Sequence, residues 1–149
     1  MTKLTLFLLV LALLSAVHLP VSAGGSEKYA LMGKKAWHAF ECASLNSLVG
    51  NKAEAKRLFF LGYNNGRGLL KALKENKIKE KDISNEVPWI LMLLFEGPSD
   101  DFILGRIYSA AERDALKNIL NTEGKPNPDE VQKVLARNKI SHGNCRSIR

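Results

Sequence analysis

Apolar side chains recur at intervals of three and four residues along most of this chain, and no stretch shows the sustained alternation of a half-buried strand. That periodicity lines one face of a helix, whereas a strand buries every second residue. Across residues 27–49 it places Leu31, Met32, Ala36, Trp37, Phe40, Ala43, Leu45 and Leu48 in a broad stripe, which Gly50 and Asn51 terminate. Across residues 52–75 it turns Leu58, Leu61, Leu69, Leu70 and Leu73 inward and leaves Lys52, Glu54, Lys56, Lys71 and Lys74 mostly outward. Gly62, Gly66 and Gly68 interrupt this second helix. Each costs about 1 kcal/mol relative to alanine in a helix interior, so close packing or function must justify them.

Residues 76–85 mix lysines and acids with two isolated isoleucines and read as a solvated connection with a short turn. The run from 87 to 95 is apolar on every side and has Pro88 in its first turn, where the missing N–H is tolerated. A helix apolar all round is a buried one, so this run is expected to be the central core element. Gly97 and Pro98 end it. Ser99 then offers an N-cap, with Asp100 and Asp101 at the positive end of the next helix dipole. That fourth helix is expected to reach about residue 121, with Phe102, Leu104, Ile107, Tyr108, Ala111, Ala115 and Ile119 largely on one face. Residues 122–126 read as a loop, and Asn127, Pro128, Asp129 and Glu130 supply the cap, first-turn proline and acids that start a last helix. It should end near 138, leaving a polar, basic tail from 141 to 149. The expected fold is all-α, a single compact domain of about five helices.

Lys3, the apolar run 4–17 and the small-residue exit Val21-Ser22-Ala23 have the three-part organisation of a cleavable secretory signal peptide over residues 1–23. The run is shorter than the about 20 apolar residues that cross a bilayer. The expected product is residues 24–149, periplasmic or secreted, with no transmembrane anchor after cleavage. Export would carry Cys42 and Cys145 into an oxidising compartment, and two cysteines allow one pairing. Their bridge would tie the C-terminal tail to the first helix. Closing so long a loop restricts the unfolded chain by about 4 to 5 kcal/mol in the entropic account. No Cys-x-x-Cys motif points to redox chemistry.

The formal charge of +7 becomes +6 without Lys3 and favours an acidic protein face or an anionic envelope component. Nucleic acid is an unsuitable partner, because export removes the target and no aromatic-interleaved basic motif is present.

The segment Gly62-Tyr63-Asn64-Asn65-Gly66-Arg67-Gly68 is the most unusual local composition. Glycines four apart share a helix face and admit a close crossing, for which Gly105 and Ser109 on the fourth helix offer a small matching surface. The rival reading is a polar binding groove formed by Tyr63, Asn64, Asn65 and Arg67. Arg106 and Arg113, two turns apart, could clamp a carboxylate. His38 and Glu41 are spaced for shared metal or acid–base work, but a metal needs three or four ligands and His142 sits apart in the tail. No metal, cofactor or catalytic residue is assigned. Glu86, Glu96, Asp100 and Asp101 supply carboxylates without a recognisable catalytic motif.

The phrases Glu54-Ala55-Lys56-Arg57-Leu58-Phe59, Gly62-Tyr63, and the run from Gly97 to Arg106 resemble those of small exported bacterial proteins of unassigned function. That resemblance implies a periplasmic helical protein and transfers no active site. In architecture the chain is also similar to periplasmic immunity proteins that neutralise cell-wall-degrading toxins. The leading expectation is an exported, non-enzymatic binding or inhibitor-type protein using Tyr63, Asn64, Asn65, Arg67, Arg106 and Arg113. The alternative is a small envelope enzyme acting on glycan or peptide through His38 or Glu41.

Overall fold

The computed structural model describes residues 23–149, so the signal-peptide reading lies, apart from Ala23, outside the described residues. Among the described residues six helices run in chain order: α1 Ala23–Leu48, α2 Lys52–Lys74, α3 Glu80–Glu86, α4 Trp89–Met92, α5 Asp100–Leu116 and α6 Asp129–His142. A short antiparallel hairpin, β1 Asn121–Thr122 with β2 Lys125–Pro126, separates α5 from α6, and a 3-10 turn at Cys145–Ser147 closes the tail. The all-α single domain expected from periodicity is the one observed. None of the helices among the described residues is long and apolar enough to cross a membrane.

The spine is α1, against which α2, α3, α5 and α6 all pack. Its buried residues Ala36, Trp37, Ala39, Phe40, Cys42, Ala43 and Leu45 explain why: alanines at the crossings let neighbours approach, and the large residues fill the space between them. One part of the core gathers Trp37, Phe40, Leu69, Leu91, Leu104 and Ile107, and the other gathers Leu45, Leu58, Ile119, Ala136 and the two cysteines. Leu31 and Phe102 depart from the expected stripes and are exposed.

The 87–95 run is not the central helix that its hydrophobicity suggests. Pro88 is extended at ψ 133°, α4 is one turn long, and Leu93 closes it. One turn buries one side, so Leu91 is fully buried while Trp89 stays 70% exposed and Leu93 58%.

Helix ends follow local chemistry. Gly50 (φ +83°) and Asn76 (φ +52°) adopt the left-handed conformation after α1 and α2, and the Asn51 and Lys77 N–H groups donate back to Asn46 O and Ala72 O. These bonds satisfy carbonyls that the helix ends leave open. Ser99 Oγ accepts from Phe102 N, the expected cap on α5. That helix stops earlier than expected, because Lys117 turns extended and Asn118 enters the left-handed region. The 122–126 loop is a hairpin instead, in which Glu123 and Gly124 both take positive φ, as a two-residue primed turn requires. Asn127 does not cap α6. Its Nδ2 donates to Ile119 O and Thr122 Oγ1, anchoring the hairpin to the end of α5. The 76–85 connection contains α3, tied to α1 by the Lys79 N–H donating to buried Ser26 Oγ at 2.8 Å and by burial of Ile83.

Cys42 and Cys145 are joined with Cα atoms 5.6 Å apart across 103 residues. Both are buried, so the bridge belongs to the core as well as to the tail.

Candidate functional site

A concavity of about 1450 Å3 opens between α4, the outer flank of α5 and the hairpin. Trp37 and Ala110, both nearly buried, form part of its lining from α1 and α5. Trp89 and Ile90 line it from α4, and Leu120 from the segment leading into the hairpin. Charged residues of α5, Arg113 among them, complete the rim. α4 already closes at Leu93, ahead of Gly97-Pro98 in the loop that leads to α5, and a single helical turn cannot hide both Trp89 and Leu91, which leaves the groove open beside them.

The six residues expected to form one surface occupy three places. Tyr63 Oη donates to Asp101 Oδ1 at 2.7 Å, and the Arg67 guanidinium lies 5.9 Å from the Tyr63 ring centroid. The Asp101 carboxylate accepting its proton pushes the Tyr63 phenol above its ordinary pKa. Asn64 is exposed, whereas Asn65 Nδ2 is occupied within its own helix by Leu61 O. Arg106 Nη1 donates to Glu96 O at 2.7 Å and packs 5.9 Å from the Phe102 ring, so it pins the loop after α4. Arg113 alone of the six lines the large groove. Asp100 and Asp101 are more than dipole partners: they hold Lys74 and Tyr63, fastening the first turn of α5 to α2.

The glycine face makes the expected close approach with a different partner. A Cβ on Gly62 would meet Phe40 and the Ala36 carbonyl, and one on Gly66 would meet the Leu104 side chain. Gly105 is exposed, with open space around it, and takes no part.

His38 and Glu41 are neighbours, but their environment is the tail. His38 Nδ1 lies 3.4 Å from Glu41 Oε2, and Nε2 lies 2.8 Å from Gly143 O. Both ring nitrogens are therefore engaged. His142 turns to Asn138 O in its own helix. Among the described residues no three His, Cys, Asp or Glu side chains gather to hold a metal ion.

The exposed tryptophan was the part of the site that sequence reasoning missed. Its signal was Pro88 directly before it, which starts a helix only one turn from Leu93. Compared with known proteins, the chain matches no family model, no curated protein and no solved structure.

Proposed function

We propose that the protein is an exported, non-enzymatic binding or inhibitor-type module of the bacterial envelope. It receives a protein partner's protruding segment in the Trp89 groove. The observation that carries this reading is Trp89 itself, 70% exposed beside an apolar lining that includes Trp37, Ile90 and Leu120. A large aromatic surface left open to water at a concavity is unfavourable for an isolated domain and useful at an interface. Tryptophan and arginine are the residues that most often dominate binding energy, and Arg113 stands in the same groove. The partner chemistry that fits is an apolar side chain against the indole, ringed by a rim of mixed charge in which Arg113 and Lys117 stand beside Glu112, Asp114 and Glu123. The competing enzyme reading used His38 and Glu41, and these residues hold the tail outside the groove.

The test compares capture of envelope proteins by the parent, Trp89→Ala and Arg113→Ala, followed by hydrogen exchange of the captured complex. Trp89→Ala is expected to weaken binding about thirtyfold or more, as loss of a dominant contact does. Its melting temperature should stay near the parent's, because the side chain is exposed. Capture equal for all three proteins, or protection confined to other surfaces, would remove the groove from the proposal.

A further inference from the structure

A second concavity, about 990 Å3, lies where α2 begins, beside α6 and the tail. Three arginines line it, Arg57, Arg137 and Arg146, with Glu54 as the one acid. Glu54 is already consumed: its two carboxylate oxygens accept from Arg57 Nε and Nη2 at 2.8 and 2.7 Å, while Arg57 Nη1 donates to Ile148 O. The Arg57 guanidinium holds the Glu54 carboxyl below its ordinary range. That pair is self-neutralising and fixes the tail against α2. Arg137 and Arg146 have no hydrogen bond or ion pair of their own among the described residues. Glu130, on whose carboxyl Arg137 acts through space, is bound by Lys133 at 3.0 Å.

We propose that this groove is a binding site for a phosphate monoester group, gripped by Arg137 and Arg146 with Arg57 holding the wall between α2 and the tail. The charge count favours that ligand. Two uncompensated guanidinium groups match the roughly −1.5 to −2 carried by a phosphate monoester near pH 7, whereas a single carboxylate leaves one of them unbalanced. Each planar fork forms paired bonds to adjacent oxygens, and a monoester presents three. The volume is that of a small-molecule site. Arg137 sits on α6 and Arg146 in the turn that contains Cys145, so the disulfide and the Arg57–Ile148 bond hold the Arg146 side of the groove against the body of the protein. The site is independent of the Trp89 groove, shares no residue with it, and goes beyond the protein-binding reading.

The same group could reach the site on a soluble metabolite or as a lipid headgroup, and two arms of one experiment separate these. The purified exported protein is titrated calorimetrically with glycerol 3-phosphate and, in parallel, sedimented with phosphatidylcholine vesicles containing phosphatidate. Saturable binding in either arm is expected to weaken about tenfold or more in Arg137→Gln and in Arg146→Gln. Arg146→Lys should fall between, because it keeps the charge and loses the fork. Lys117→Gln, which removes one charge elsewhere, should match the parent. Binding of the soluble ester assigns a small-molecule site, and binding of vesicles alone with the same arginine dependence assigns a headgroup site. The proposal is overturned if neither probe binds saturably, or if Lys117→Gln weakens binding as much as the arginine variants do.

Discussion

The Phe40 ring occupies the space that a side chain on Gly62 would need, its Cδ1 lying 2.6 Å and its Cε1 2.8 Å from where a Cβ would stand. The ring is itself boxed in by Phe59 and Tyr108, with centroids 5.8 and 5.4 Å away, so it has little room to withdraw. The Ala36 carbonyl, 3.1 Å from the same point, is backbone of the spine helix. Gly62→Ala is therefore expected to destabilise by about 1 to 3 kcal/mol through overpacking, outweighing the gain of about 1 kcal/mol from helix propensity. Gly66→Ala meets only the end of the Leu104 side chain and should cost less, whereas Gly66→Leu should cost as much as Gly62→Ala or more. Gly105→Ala, in open space, should be neutral or stabilising by up to about 1 kcal/mol. Denaturant melts of the four variants check the order. Equal stability of Gly62→Ala and Gly105→Ala would contradict the close crossing.

The pairing of small with large at Gly62 shows what the sequence carried and what it did not. Two glycines on one helix face announce that something comes close, but their spacing does not say whether the visitor is another small surface or a ring. The expected partner was Gly105, and the observed ones are Phe40 and Leu104. The same asymmetry governs the 87–95 run. With apolar residues at every position, no periodicity distinguishes the buried Leu91 from the exposed Trp89, and the outcome depends on Pro88 and on α5 packing from a distance. Features set by neighbours in sequence were legible in the Ser99 cap and the stop at Gly50, whereas the helix expected to run to Gly97-Pro98 closes at Leu93. The disulfide was legible for a different reason, since two cysteines leave a single pairing. Both concavities were not, because their walls come from segments far apart in the chain.

Breaking the bridge should loosen the tail before it loosens the bundle. Cys42 and Cys145 close a loop spanning 103 positions, and both sulfurs sit in the core beside Leu45 and Ala136. Cys42→Ala with Cys145→Ala is expected to cost about 2 to 5 kcal/mol. Hydrogen exchange should then accelerate first at residues 143–149, while the α1–α2 contact, which does not depend on the bridge, remains protected. Uniform loss of protection along the chain would show that the bridge supports the whole fold instead.

Processing after Ala23 predicts a product beginning at Gly24. Intact mass measured on exported protein checks it. A product retaining the apolar residues 4–17 would contradict the secreted reading and, with it, the compartment on which the envelope proposals rest.

The grip of α1 on the tail, made through His38 and Gly143, depends on pH. His38 sits between Glu41 and Gly143 O, and the Glu41 hydrogen bond, reinforced by the bond to Gly143, raises its pKa above the ordinary value of 6.5 despite partial burial acting the other way. A raised folded-state pKa means that the imidazolium stabilises the native state fully below the unfolded-state value, and that this contribution disappears as pH climbs through the folded-state value. The chemistry of the loss is specific. Neutral His38 can keep its Nε2 proton on Gly143 O, but Nδ1 then offers Glu41 no donor. Thermal melts from about pH 5.5 to 8.5 should therefore show a modest decline for the parent, small because the side chain is 40% exposed. His38→Gln should flatten it. His142 is a second histidine at the end of α6, so the informative quantity is the difference between parent and His38→Gln at each pH. In the background lacking both cysteines the difference should shrink, because the tail that carries Gly143 is no longer held against α1. A parent and a His38→Gln variant that decline in parallel over this range would place the pH dependence elsewhere and leave His38 as a neutral hydrogen-bond donor to the tail.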